Sequence, residues 1–246
     1  MNPAPETFAG SASESGTQPI HRFGWPTRPL GAKALGTPQR NAGVKCSSTT
    51  LGGLRGPEWA QVASLARSGK DLGVTEALLL VDVLKDFRHE DGDALLESYR
   101  RRHPVLVSLL SEARARGVPV VYANDRGENA QPGEVVREAV EEGKAGELVA
   151  EVAPVNGEPV LLKDAYSAFE GTELPAVLAG LGVERVLVAG AATEMCVFQT
   201  ALDARPTGFD VLVRGDASAS LDDTNEGIAL DYLERVLGVE VVRGSE

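Results

Sequence analysis

Three side chains of unlike chemistry each follow a short apolar stretch of the sequence: Asp82, Lys163 and, a few residues beyond its stretch, Cys196. A cysteine thiolate is a nucleophile, and a carboxylate can accept the thiol proton and later deliver it to a leaving amine. A lysine ammonium near the thiol favours the thiolate, because opposite charges attract. Together the three residues indicate hydrolysis by a cysteine nucleophile.

The place of Cys196 at the start of a predicted helix supports this interpretation. If Thr193 is the N-cap, Cys196 occupies the third helical position, near unpaired N–H groups and the positive end of the helix. We expect this environment to lower the thiol pKa. Taken singly, each residue has an ordinary alternative: a free cysteine is usually a small buried apolar residue, and Asp82 and Lys163 could be polar strand ends. Their joint placement favours a site.

The segments that must position these residues alternate between two patterns from residue 74 onward. Short, nearly continuous apolar runs suit strands that are buried on both faces of a sheet, and helical stretches lie between them. This alternation predicts an α/β protein with a three-layer α/β/α arrangement around a parallel sheet of about six strands. The predicted strands are 77–81, 118–122, 159–162, 185–189, 210–213 and 239–242.

The predicted helices span 93–116, a segment around 134–143, 173–181, 193–204 and 222–237. Glycines follow three of them as C-caps. Pro104 lies inside the first and should kink it or separate two helices, because proline has no amide hydrogen. In an open α/β sheet, chemistry takes place beyond the carboxyl ends of the strands, so the three candidate catalytic residues should meet there.

Composition and charge exclude several classes of protein. The chain has 246 residues, a net charge of -12 and 43% hydrophobic residues, which suffice for a substantial core. An acidic chain argues against nucleic-acid or anionic-membrane partners, whose phosphates attract lysine and arginine. The longest apolar run, 77–81, is too short to span a bilayer. Cys46 and Cys196 are the only cysteines, so neither a disulfide framework nor a cysteine-rich zinc site is expected.

Residues 1–70 are predicted to form a disordered, low-complexity N-terminal extension of a domain that covers 71–246. The extension has eight Lys and Arg against three Glu, whereas the rest has 16 basic and 33 acidic residues. Gly, Pro, Ser and Thr make up nearly half of 1–57, which therefore cannot bury enough surface to fold. Residues 58–68 could form one short helix with Trp59, Val62 and Leu65 on one face.

The extension lacks the apolar core of a secretory signal and matches a transit peptide only in part. A linker or a misassigned start codon is the favoured explanation. We therefore expect a cytoplasmic protein.

Three segments resemble the isochorismatase-like cysteine hydrolases. Residues 77–87, ALLLVDVLKDF, are similar to the "VVDMQNDF" opening of that family, and residues 163–172, KDAYSAFEGT, to its "K…SAF.GT" segment. Residues 190–204, GAATEMCVFQTALDA, resemble the "GVATE.CV..TA.DA" segment around its nucleophile. The motifs occur in the family's order and spacing over residues 74–246, and the extension has no counterpart.

The resemblance implies a role for each residue of an Asp–Lys–Cys triad. Asp82 would be the base, Lys163 the cation that polarises and orients, and Cys196 the nucleophile. It also implies a cis peptide bond between Ala191 and Ala192, and an oxyanion hole formed by the backbone N–H groups of Ala192 and Cys196. Family members commonly form dimers or tetramers, so the resemblance further implies a homo-oligomer that acts on a small molecule.

The sequence departs from the zinc-binding nicotinamidases of this family. These hold the metal with an Asp and two His after the second strand, in a D-x-H pattern, whereas residues 124–127 here read Asn-Asp-Arg-Gly. His89 and His103 lie in the first loop and helix and are predicted to be surface residues. We therefore expect no metal and no other cofactor. The Asn-Asp pair instead resembles the "NDNFG" turn of a metal-free branch.

The nucleophile favours an amide substrate, because isochorismatases that cleave a vinyl ether commonly lack this cysteine. We expect hydrolysis of a C–N bond through a thioester acyl-enzyme. Cleavage of an ester or an isochorismate-type ether, or a catalytically silent binding protein on the same fold, are the alternatives. The residues predicted to line the substrate pocket are Phe87, Asn124, Tyr166, Phe169 and Met195.

Four nearby residues have further interpretations. Phe87 and Phe198 suit core packing as well as a pocket. Asp86 could cap a helix, and Glu194 is expected to orient the nucleophile turn rather than to react.

Overall fold

A computed structural model describes residues 75–127, 131–155 and 157–244, so the predicted N-terminal extension lies outside the described residues. Over these ranges, six parallel strands form one sheet in the order β3-β2-β1-β4-β5-β6. The predicted sheet is therefore confirmed, with small shifts at the strand ends. The strands are β1 (Glu76–Val81), β2 (Val120–Asp125), β3 (Val160–Lys163), β4 (Arg185–Gly190), β5 (Asp210–Arg214) and β6 (Glu240–Val242).

Helices connect the strands on both faces of the sheet. Short π-helical or 3₁₀ segments adjoin some of the helices, at Glu138–Glu142, Thr193–Val197, Arg205–Thr207 and Tyr232–Val236, and one more follows the fifth strand, at Gly215–Ala217. Within the described ranges, no helix is long and apolar enough to cross a membrane. The α-helices are α1 (Gly92–Arg116), α2 (Pro132–Arg137), α3 (Gly146–Glu151), α4 (Leu174–Leu181), α5 (Phe198–Ala204) and α6 (Asp223–Asp231).

Alternate residues of β1 belong to two separate apolar cores. Leu78 and Leu80 pack with residues of α1 on one face, whereas Leu79 and Val81 pack with α4 and α5 on the other. All four side chains are fully buried. Successive side chains of a strand point to opposite faces, so these two cores are the two contact zones of a three-layer fold.

Helix α1 runs without interruption through Pro104, so of the two outcomes predicted for Pro104 the separation of two helices does not occur. Pro104 lies on the exposed side of the helix, while Leu106 and Leu110 on the other side are buried. A proline inside a helix costs about 3 kcal/mol, and packing of the buried face offsets this cost. Gly117, in the left-handed region with φ 69°, ends the helix as predicted.

The chain changes direction within the sheet between β1 and β4. From β1 it moves outward to β2 and β3, and it then returns to β4 on the other side and continues to β5 and β6. Such a switch leaves a crevice at the carboxyl ends of the two central strands. There Val81 pairs in register with Gly190, so the residues that follow β1 and β4 emerge side by side.

Candidate active site

The sheet brings the three predicted catalytic residues together at its carboxyl edge. Asp82 follows β1, Lys163 ends β3, and Cys196 lies in the turn after β4. The Nζ atom of Lys163 is 2.8 Å from Asp82 Oδ2 and 3.6 Å from Cys196 Sγ. A carboxylate oxygen of Asp82 lies within 4.8 Å of the same sulfur. All three side chains are buried, and Cys196 retains 7% exposure.

Backbone contacts hold the Asp82 carboxylate in place. The Asp82 backbone has a φ of 50°, in the left-handed region that aspartate adopts more readily than most residues. Its N–H donates to the Ala123 carbonyl at 2.8 Å, and its Oδ1 accepts the backbone N–H of Asp125 at 2.7 Å. Strand β2 thus orients the proposed base.

Two further charged residues, Asp125 and Lys85, complete the site, although no role for either was predicted from the sequence. Asp125, at the end of β2, accepts a hydrogen bond from Lys163 with Oδ1 and one from Lys85 with Oδ2, the latter at 2.8 Å. Lys85 Nζ also lies 4.0 Å from Asp82 Oδ1. The position of Asp125 at a strand end was a usable signal. The signal for Lys85 was weaker, because the family's opening motif has an asparagine at this position and so suggests no role for a lysine.

The environment of Cys196 differs from the one predicted. Burial raises the pKa of the thiol, the Asp82 carboxylate raises it further, and the Lys163 ammonium opposes both effects only in part. The predicted lowering of this pKa was therefore wrong, because burial and the Asp82 carboxylate together outweigh the Lys163 ammonium. A neutral resting thiol needs a base, and Asp82 is within reach of it.

Lys163 and Asp125 keep their charges in spite of burial. Burial alone would lower the pKa of Lys163, but the carboxylates of Asp82 and Asp125 raise it above its ordinary value. For Asp125, burial acts to raise the pKa, yet Lys85 and Lys163 hold it below its ordinary value. The site therefore contains ionised carboxylate and ammonium groups around a neutral thiol.

The nucleophile lies in a π-helical turn, Thr193–Val197, that follows a cis peptide bond between Ala191 and Ala192. Thr193 is the first residue of this turn and Ala192 is its N-cap, so the condition set for Thr193 is not met and Cys196 is the fourth residue of the turn. The Thr193 hydroxyl instead lies 3.0 Å from Glu226 Oε1 and 3.1 Å from the Ala219 carbonyl. The Thr193 hydroxyl thus contacts the buried Glu226 carboxylate of α6 and does not cap the helix.

Further bonds fix the same turn. The carbonyl of Ala192 accepts the N–H groups of Met195 and Val197 at 3.1 and 3.2 Å. Glu194 accepts the N–H of Leu221 at 2.9 Å with Oε1, an orienting contact of the kind expected for it. The assignment of the Ala192 and Cys196 N–H groups to an oxyanion hole stays a prediction.

A cavity of about 500 Å³ opens beside the charged cluster and is the candidate substrate pocket. Lys85, Asn124, Asp125 and Arg126 line part of its wall. Asn124 is buried, accepts the N–H of Leu84 at 3.1 Å and donates to the Leu84 carbonyl at 2.9 Å. The Asn124 amide, the Lys85 ammonium and the Asp125 carboxylate are therefore held in defined positions at the cavity wall.

The other predicted pocket residues lie outside the lining of this cavity. Phe87 is fully buried and packs edge-on against Tyr99 at a centroid distance of 5.2 Å. Phe169 packs at 6.1 Å from Phe209. Met195 is partly buried and packs against the apolar core that contains Leu78 and Leu80, whereas Tyr166 is 40% exposed. Phe87, Phe169 and Met195 thus pack against other apolar side chains, and Asn124 is the member of the predicted set that lines this cavity.

Predictions for three other polar residues gave mixed results. His89 is exposed as expected, but His103 is buried, with Nε2 2.8 Å from the Leu148 carbonyl, so its surface assignment was wrong. Asp86 accepts the N–H of Arg88 and does not cap α1, whose N-cap is Asp91. Both corrections come from contacts that the local sequence does not specify.

The charged cluster does not fit a metal ion. Oxygen and sulfur atoms of Asp82, Asp125 and Cys196 lie within 4.8 Å of one another, which is a conceivable donor set. However, the Lys163 ammonium already contacts all three side chains, and Lys85 takes the second oxygen of Asp125. Residues 124–127 contribute a single carboxylate and no histidine. The cation at this position is a lysine.

A parallel sheet with helices on both faces, and with a cysteine, a lysine and an aspartate at its carboxyl edge, defines a three-layer α/β protein with a candidate active site at that edge. The sequence model for the isochorismatase domain matches residues 76–245, and the chain belongs to the isochorismatase family. The recognition from sequence motifs is confirmed, and so is the three-layer α/β fold class.

Individual relatives agree with this assignment. The chain is 30% identical over 168 residues to the isochorismatase family protein YaaI of Bacillus subtilis, covering 68% of this chain and 92% of that relative. It is 30% identical over 150 residues to the maleamate amidohydrolase of Pseudomonas putida, covering 57% and 70%. The crystal structure of N-carbamoylsarcosine amidase from Thermoplasma acidophilum aligns with a TM-score of 0.55 at 30% identity, covering 70% of this chain and 98% of that one.

Proposed function

We propose that this protein hydrolyses a C–N amide bond of a small molecule through a thioester formed on Cys196. The observation that carries the proposal is the position of the Lys163 ammonium, 2.8 Å from Asp82 and 3.6 Å from the Cys196 sulfur. It links base and nucleophile in one buried unit. Two of the similar proteins are named for amide hydrolysis, a maleamate amidohydrolase and an N-carbamoylsarcosine amidase, which supports an amide as the substrate.

In the first half of the reaction, the thiol is the attacking group. Asp82 accepts its proton as the sulfur forms a bond with the substrate carbonyl carbon, because the raised thiol pKa leaves little thiolate before attack. The carbonyl oxygen becomes an oxyanion, for which the N–H groups of Ala192 and Cys196 are the proposed donors. When the C–N bond breaks, Asp82 delivers the proton to the departing amine.

In the second half, a water molecule replaces the amine. Asp82 takes one proton from the water as its oxygen attacks the thioester carbonyl carbon. The C–S bond then breaks, the sulfur leaves as a thiolate, and the proton on Asp82 restores the thiol. Lys163 stays charged throughout and offsets the negative charge that moves between Asp82, the oxyanion and the sulfur.

The proposal requires no metal, because lysine ammonium groups supply the positive charge of the site. We expect turnover to be unchanged after incubation with a chelator. Stoichiometric zinc in the purified protein, lost together with turnover on chelation, would contradict this part of the proposal.

Mass spectrometry after brief incubation with a library of small amides tests the proposal directly. We expect a mass increase on the peptide that contains Cys196, equal to the acyl group, together with release of ammonia or an amine. The Cys196→Ala variant is the control and should show neither. If esters or isochorismate-type ethers turn over while no amide in the library acylates Cys196, the bond assignment is wrong.

A further inference from the structure

We propose that Lys85 is a positioning residue of this active site, acting through Asp125. The Lys85 ammonium donates a hydrogen bond to Asp125 Oδ2, and the Lys163 ammonium donates one to Asp125 Oδ1. The inference rests on the proposed amide hydrolysis and deepens it.

The geometry places Asp125 between two ammonium groups. Its Oδ2 accepts from Lys85 Nζ at 2.8 Å, and its Oδ1 accepts from Lys163 Nζ. Its backbone N–H donates to Asp82 Oδ1 at 2.7 Å. Asp125 is therefore held at once by Lys163 at the end of β3 and by Asp82 and Lys85 in the segment after β1. Loss of the Lys85 contact would free one oxygen of Asp125 to turn toward the cavity and to pull on Lys163.

The charges of the cluster balance only when Lys85 is included. Two carboxylates, Asp82 and Asp125, face two ammonium groups and the neutral thiol of Cys196. Without Lys85, both carboxylates would share one ammonium, and the cluster would be negative before the reaction starts. A negative surrounding disfavours formation of a thiolate, so attack by Cys196 would become harder.

The position of Lys85 suits this role. Its side chain is 20% exposed and lies on the wall of the candidate substrate cavity, and its Nζ is 4.0 Å from Asp82 Oδ1, so its charge lies between the cavity and the proposed base. Burial alone would lower its pKa, but Asp82 and Asp125 raise it above its ordinary value, so the ammonium persists at neutral pH. The family's opening motif has a neutral asparagine at this place. The balancing charge is thus a feature of this chain.

The test compares variants of Lys85 in a Cys46→Ser background, so that Cys196 is the cysteine being alkylated. Lys85→Met and Lys85→Gln remove the charge, and Lys85→Arg keeps it. Lys144→Met is the matched control, because Lys144 forms a lysine–aspartate pair of the same kind with Asp93 at 2.6 Å on the surface. Two readouts are measured from pH 6 to 10: the rate of Cys196 alkylation by iodoacetamide, and kcat and KM for an amide that the wild type hydrolyses.

We expect removal of the charge to raise the thiol pKa, and a rise of one pKa unit slows alkylation about tenfold at a fixed pH below it. The value of kcat should fall by a similar factor with KM little changed, Lys85→Arg should restore most of both, and Lys144→Met should behave as wild type.

An alkylation profile that is unchanged in the Met and Gln variants would overturn the inference. A higher KM with an unchanged profile would do the same, since Lys85 would then contact the substrate directly. An Arg variant as impaired as the Met variant would show that shape and not charge matters, and would also overturn it. Alkylation needs no substrate. If the profiles shift as expected but no amide acylates Cys196, the proposed function fails and the role of Lys85 in the cluster stands.

Discussion

The ammonium of Lys163 lies 2.8 Å from a carboxylate oxygen of Asp82, and neither side chain is exposed to solvent. Removing one partner of a buried ion pair typically costs about 3–5 kcal/mol, whereas apolar residues of similar volume are often as stable as the pair. Stability alone therefore gives no reason for such a pair. The contact of Lys163 with the Cys196 sulfur gives a functional reason for the pair, because one lysine then contacts both the proposed base and the proposed nucleophile.

Replacement of the nucleophile should abolish the reaction without affecting the fold. Cys196→Ala removes the attacking atom, and Cys196→Ser keeps an attacking atom whose proton is much harder to remove. We expect no measurable amide hydrolysis from either variant, measured as amine release, and thermal melting close to that of the wild type. Turnover by Cys196→Ala at a rate near the wild type would show that the acyl-enzyme mechanism is wrong.

Substitutions of the two partners of Cys196 should shift its thiol pKa in opposite directions. Asp82→Asn removes a carboxylate that raises this pKa, so the pKa should fall, and Lys163→Ala removes a cation that lowers it, so the pKa should rise. Alkylation of Cys196 should therefore reach half its maximal rate at a lower pH in Asp82→Asn and at a higher pH in Lys163→Ala. Shifts of the same sign would separate the three residues into different sites.

The same Asp82→Asn variant should lose catalysis although its thiol ionises more readily. It lacks the group that carries the proton to the leaving amine, so acylation should slow by at least about two orders of magnitude. Single-turnover measurements of acyl-enzyme formation give this rate. An undiminished rate would mean that another group is the base.

Gly190 should tolerate no side chain, because its backbone touches Val81, the residue before Asp82. It has a φ of 145°, and a Cβ at this position would overlap the carbonyl oxygen of Val81. We expect Gly190→Ala to lower the free energy of unfolding by at least about 2 kcal/mol and to reduce activity. Gly227→Ala is the matched control: it lies inside α6 with open space around it, so it should be neutral or stabilising by up to about 1 kcal/mol. Equal effects in urea denaturation would refute the steric argument.

An apolar surface is a candidate contact between copies of the chain. Ile228, Tyr232 and Val236 are exposed by 63%, 47% and 62%, and the first two line a groove together with Phe198. The resemblance to the family implies a dimer or tetramer. We expect light scattering at micromolar concentration to give such a mass, and Ile228→Asp to reduce it. Val155→Asp, which places the same charge at an exposed valine outside this surface, should not. A monomeric wild-type protein would contradict the expectation.

The N-terminal extension should be dispensable for folding and activity. The family match begins at residue 76, and the compositional change lies near residue 70. A chain that starts at Gly73 should melt at the same temperature and hydrolyse the same substrate at the same rate. Loss of soluble protein, or of activity, on truncation would assign a role to the extension.

Much of the fold could be read from local patterns along the chain. Each strand is a run of apolar residues that can be recognised from its own sequence, and β1 to β6 all lie where such runs predicted strands. Asp82 and Lys163 could be found by the same reasoning, since parallel strands present their carboxyl ends at one edge. Periodicity and strand ends depend on neighbours within a few residues, and for that reason sequence alone determined them.

What tertiary structure alone decided depends on residues that are distant along the chain. Lys85 meets Asp125 across 40 positions, and the Thr193 hydroxyl meets Glu226 across 33, so neither contact has a local signature. The thiol pKa of Cys196 follows from how much water the packed helices exclude and from which charges surround it. Burial and electrostatics are sums over all neighbours in space. The sequence therefore supplied the reacting groups, and the packed sheet determined their protonation, their partners and the second lysine that balances them.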